Sequence, residues 1–133
     1  MSRDEIRSLM NRAQRSLRSA RNLLEDGDYD FAMSRAYFAM FYAATAALLP
    51  RDIKRSKHAG VIAAFGQFLV KPGSVAREHQ AALQAAFRDR TAGDYTGVFP
   101  SREAVERRID EATAFVRAVE EFLRTEGIPV GHD

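Results

Sequence analysis

Apolar positions recur along this chain at spacings of three and four, and no stretch alternates apolar and polar with a period of two, so helices are predicted throughout. The first opens with Ser2 and Glu5 in capping-box spacing, sets Ile6, Leu9, Met10, Ala13, Leu17, Ala20 and Leu24 on one stripe, and ends at Gly27. The second, from about Phe31 to Leu49, is apolar almost all round. Such a helix must be covered on every side, as the central element or in a subunit interface. Pro50 stops it, and a basic loop, RDIKRSK, leads to a short third helix from His58 to Val70. After Pro72 and Gly73, Ser74 is placed to cap a fourth helix that dissolves at Gly93. Ser101 caps the last, whose stripe of Val105, Ile109, Ala112, Val116, Val119 and Leu123 closes at Gly127 and Pro129. The prediction is an all-α, up-and-down bundle of four main helices plus a short one. It forms one domain over 1–126, with a flexible tail over 127–133.

Composition narrows the function classes. At 133 residues with 46% hydrophobic side chains, folding buries roughly two thirds of the unfolded surface, enough for a core without staples. Cysteine is absent, which excludes disulfides, thiolate chemistry and cysteine-built zinc sites. The net charge is only +2, yet all but Lys54, Lys57 and Lys71 of the 20 basic residues are arginine. Arginine keeps its charge at any accessible pH and forks onto phosphate or carboxylate, which tilts the balance toward an anionic partner. The start, MSRDEIRSL, carries no apolar leader, and the run from Ala36 to Leu49 is shorter than the roughly 20 residues a bilayer requires. A cytoplasmic protein without membrane contact is expected.

Candidate chemistry lies in four places. Asp26, Asp28 and Asp30 alternate as in the first half of a calcium loop, but Phe31 and Tyr37 stand where such a loop needs glycine and a bidentate glutamate. The first helix carries Arg3, Arg7, Arg18 and Arg21 around Asn11 and Gln14, a polar stripe that fits either solvent or phosphates. Arg35 heads the apolar stretch SRAYFAMFYAA and needs acceptors there, either a carboxylate such as Asp89 or Asp94 or a polar pocket that the Tyr37 and Tyr42 hydroxyls could share. His58 begins the third helix next to a basic loop, a setting for anion binding or proton transfer near pH 7 as well as for a capping role. The densest polar cluster is FRDRTAGDYTG, where Arg88, Arg90, Asp94 and Tyr95 can converge at a helix end, for binding or merely to tie down that terminus. Three histidines without metal-ligand spacing leave no metal site to expect, and no cofactor.

Three strings in order, SRAYFAMFYAATAALL, KHAGVIAAFGQFLV and RDRTAGDY, give a chain that resembles the HEPN domain (higher eukaryotes and prokaryotes nucleotide-binding), in its small stand-alone prokaryotic branch. The resemblance spans about Glu5 to Leu123. It implies a helical homodimer, often paired with a minimal nucleotidyltransferase as toxin and antitoxin, and in many members a metal-independent endoribonuclease. The implied signature is RNxxAHxY, in which arginine neutralises the phosphorane and histidine moves a proton. Arg88, Asp89, Ala92 and Tyr95 match it, while Gly93 stands where the histidine belongs. Arg51 and His58 have the spacing of an arginine–histidine pair but lie outside the family's usual place. That match counts only if the fold brings His58 beside Arg88 or Arg90.

Three readings follow. The missing histidine favours a module that binds RNA or a nucleotide without cleaving it, through a polar cleft of Arg35, Tyr42, Arg90, Asp94 and Tyr95. The second is an active ribonuclease toxin with His58 and Arg88 as catalytic residues. The third is a helical dimer whose only task is assembly.

Overall fold

The computed structural model describes residues 2–96 and 99–130, with backbone alone over 91–96. Five α-helices follow one another: α1 (Arg3–Glu25), α2 (Tyr29–Leu48), α3 (His58–Phe65), α4 (Arg77–Thr96) and α5 (Arg102–Thr125). No strand occurs among the described residues, and the all-α bundle expected from the periodicity is the observed architecture. Two of the three expected serine caps form. The Glu5 amide donates to Ser2 Oγ at 3.2 Å and the Ala104 amide to Ser101 Oγ at 3.1 Å, so each long outer helix has an otherwise orphaned N–H satisfied. Gly27, at φ +81°, turns the chain from α1 into α2.

Helix α2 is the centre and packs against each of the other four. Its buried positions are mainly alanines (Ala32, Ala36, Ala39, Ala43, Ala44, Ala46 and Ala47), and small side chains let neighbouring helices approach closely. The larger core groups come from those neighbours: Ile6 and Leu17 of α1, Phe65 of α3, Leu83 of α4, Phe115 and Leu123 of α5. Phe65 and Phe115 stack with centroids 5.0 Å apart. Coverage of α2 is incomplete, however. Met33, Phe38, Phe41 and Tyr42 are half-buried and Phe31 is 62% exposed, so one of its faces stays open in the single chain.

Boundaries differ from expectation in three places, each for a local reason. The third helix is α-helical only to Phe65 and continues as a π-helical turn, Gly66–Val70, in which the Lys71 amide reaches back to the Gly66 carbonyl at 2.9 Å. Ser74 does not cap α4. The next residue, Val75, is drawn into the core with its amide on the Leu69 carbonyl, so the helix begins only at Arg77. Gly93 does not end α4, whose backbone runs on to Thr96.

The first residues of the expected tail, Gly127 and Ile128, are packed onto the bundle. Ile128 is 1% exposed, and the Gly127 carbonyl accepts from Arg3 Nη1 at 2.9 Å. No described helix is long and apolar enough to cross a membrane.

Candidate functional site

His58 is positioned from below by α2. Its Nδ1 lies 2.7 Å from the hydroxyl of Tyr37, a residue with no solvent exposure. The imidazole stacks on Phe41 at 4.1 Å and 16°, meets Phe38 edge-on at 5.8 Å, and has Phe87 of α4 at 6.2 Å. Phe41 lies four residues from Tyr37 and three from Phe38, so it joins the two on one side of α2. The first residue of α3 therefore sits on an aromatic floor.

Arg90 completes the cluster from α4. Its guanidinium lies 4.9 Å from the Phe38 ring centroid and 5.5 Å from that of Tyr37. Arg35 covers Phe38 as well, at 4.7 Å, so this one ring contacts two arginines while its edge relation joins it to His58. The electrostatics follow. Burial pushes the Tyr37 phenol up to about 12, against a smaller opposing pull from Arg90, so the hydroxyl keeps its proton. Burial, and after it the positive charge of Arg90, lowers His58 below the usual imidazole range, so the ring is neutral at pH 7.

In the neutral state Tyr37 can donate to Nδ1, which leaves the imidazole proton on Nε2. If the ring becomes charged, Nδ1 donates and the phenol oxygen accepts. One hydroxyl thus supports both protonation states, and in each of them Nε2 is the nitrogen left for a ligand.

The sequence-derived candidates separate into groups. Arg35, His58 and Arg90 converge around Phe38, whereas Arg51 lies with Glu126 and Phe122. Arg88 is exposed and has no place in this cluster, because it lies two residues from Arg90, about 200° round α4 at about 100° per residue. Asp89 is not a partner for Arg35. It accepts from Arg108 Nη2 at 2.8 Å and ties α4 to α5, with Glu111 taking Arg108 Nε at 3.0 Å. The Asp94 and Tyr95 side chains lie outside the described residues.

Tyr42 stands beside Arg35 in a second cleft, which Arg12, Arg15, Ser16 and Ser19 complete. The arginine stripe anticipated on α1 faces elsewhere in part: Arg21 bonds to Thr113, Gln14 to Glu120 and Arg3 to Gly127, all toward α5 or the segment after it. Arg12 and Arg15 were missed as site residues. Their signal was the set 12, 15, 16 and 19, which is one helical face carrying two arginines and two serines.

Comparison with known proteins agrees with this architecture. The family model described as "HEPN domain" matches residues 6–122. Similar proteins include "Putative toxin MJ0605" of Methanocaldococcus jannaschii, 35% identical over 92% of this chain and 91% of that protein. Another is "UPF0332 protein glr0978" of Gloeobacter violaceus, 37% identical over 90% of this chain and 96% of that protein. Among solved structures, TT1696 from Thermus thermophilus has the same fold, with a TM-score of 0.76, 24% identity, and coverage of 92% of this chain and 100% of that one.

Proposed function

The chain belongs to the HEPN domain family, and from that premise we propose that it is a metal-independent endoribonuclease of the toxin type, with His58 supplying the imidazole absent at Gly93. The observation that carries this is the triple arrangement of Tyr37, His58 and Arg90: an imidazole fixed through Nδ1, with a guanidinium over the same aromatic ring. The name of one relative as a toxin supports the biological class.

Arg90 and His58 suit a phosphodiester. Burial, and after it the charge of Arg90, lowers the affinity of His58 for a proton, but a phosphate seated between the two side chains opposes this, because its negative charge stabilises the imidazolium. The 2′-hydroxyl oxygen then attacks the adjacent phosphorus and loses its proton to water. The bond to the 5′ oxygen breaks, and that oxygen takes the Nε2 proton. The products are a 2′,3′-cyclic phosphate and a free 5′-hydroxyl, and His58 is left neutral with its Nδ1 proton toward Tyr37. Arg90 holds the charge that develops on the non-bridging oxygens.

RNA incubated with the purified protein in excess chelator tests this. Cleavage with cyclic-phosphate ends is expected, slowed at least about 100-fold in His58→Ala. RNA left intact by the wild-type chain, or cut equally by the variant, overturns it. The second reading, RNA binding without cleavage, has its own support in the aromatic enclosure of His58, which narrows the approach to Nε2. Binding of intact RNA by a protein that never cuts it is its signature.

Pairing with a second copy, and with a nucleotidyltransferase, belongs to the same proposal. The open α2 face with Phe31 exposed is the surface such a partner would cover. Light scattering at several concentrations and co-purification of the two chains read these out.

A further inference from the structure

A cleft of about 260 Å³ between α1 and α2 is lined by Arg12, Arg15, Ser16, Ser19, Arg35 and Tyr42. Three guanidiniums and three hydroxyls face it, and no carboxylate lines it. Among the described residues, none of the three arginines forms an ion pair, and Ser16, a residue only 5% exposed, is part of the lining. Arg12 and Arg35 are instead held over aromatic rings, Arg12 on Tyr42 at 5.8 Å and Arg35 on Phe38 at 4.7 Å. Stacking fixes a guanidinium without consuming its charge or most of its N–H groups. Like charges gathered in one hollow repel, and an anion that accepts from several of them at once removes that repulsion.

We propose that this cleft is a phosphate-binding site distinct from the His58 cluster, and that it holds a backbone phosphate of the RNA strand whose neighbouring linkage lies at His58. Phe38 supplies the continuity, since Arg35 lies over it from the cleft and Arg90 from the cluster. A strand with a phosphate at each nucleotide can occupy both places together, whereas a single small anion can occupy only one. The assignment of RNA rests on the proposed ribonuclease function. The assignment of phosphate does not.

The test uses the full chain and a short single-stranded RNA methylated at every 2′-oxygen, which cannot be cut. Affinity is read by fluorescence anisotropy at several salt concentrations. The double variant R12A/R15A changes exposed positions and should fold normally. It is expected to weaken binding about tenfold and to reduce the slope of log affinity against log salt by about 0.7, the value for one lost single-strand phosphate contact. R107A/R117A removes the same charge from exposed positions of α5 outside the cleft and should change the affinity by less than about threefold. R35Q serves as a second cleft variant that keeps hydrogen-bonding capacity.

Equal losses from the cleft and control variants, or no loss from R12A/R15A and R35Q, overturn the proposal. A competing arm uses ATP in place of RNA. Loss of ATP binding alone in the cleft variants keeps the phosphate site but overturns its assignment to RNA. Because the probe cannot be cleaved, failure of the ribonuclease reading appears only in the cleavage assay, as wild-type protein that grips RNA and leaves it whole.

Discussion

At the scale of single residues, His58 and Tyr37 form one titrating unit. The folded-state pKa of His58 is lowered, so the unfolded chain binds more protons than the folded one between that value and the ordinary 6.5. The contribution to stability is therefore full above about pH 6.5 and is lost as pH falls through the folded-state value. Thermal melts from pH 7.5 to 5 should show this acid-side loss, and His58→Gln should flatten it. RNA binding should respond in the opposite sense, strengthening as pH falls toward 6, because phosphate favours the charged ring. Tyr37→Phe should cost about 1–2 kcal/mol, since it leaves Nδ1 without its partner on the aromatic floor, and chemical denaturation would measure it. His58 was legible in the sequence as a histidine beside a basic loop. Its link to Tyr37 was not, because those residues lie on different helices and only tertiary packing sets their distance.

Among elements, two junctions decide how the helices around the cluster are held. The π-helical turn at the end of α3 brings Gly66 against α4, where an added Cβ would come within 2.8 Å of Gln80 Nε2. That amide donates to the Ile62 carbonyl at 3.1 Å, so Gly66→Ala must displace it and should cost about 1 kcal/mol, readable as a lower melting temperature. The other junction is Arg108, buried in α5, whose guanidinium is met by Asp89 and Glu111 while Nη1 has no partner among the described residues. Asp89→Ala should destabilise by about 1–3 kcal/mol because it strands a buried cation, discounted from the full buried-pair value since Asp89 itself is exposed. Arg108→Met should cost less in the same denaturation assay. Helix existence and the two serine caps were readable from periodicity and local hydrogen-bonding chemistry. The start of α4 was not, because Val75 is recruited by a core that the local sequence does not display. Asp89 was misread for a similar reason: its partner is on α5, and one-dimensional spacing pointed to the RDRTAGDY string instead.

For the molecule as a whole, the alanine-rich centre and the open face of α2 differ in what surrounds them. The buried faces of α2 draw their bulk from other helices, while Phe38 and Tyr42 on the open side carry arginines from α1, α2 and α4. Phe38 offers a direct way to watch this happen, because the chain contains no tryptophan. Phe38→Trp would place a single indole between two guanidiniums, with a stronger cation–π attraction than phenylalanine provides. Its emission would report, without any label on the nucleic acid, the moment at which either positive neighbour turns away to meet an incoming anion.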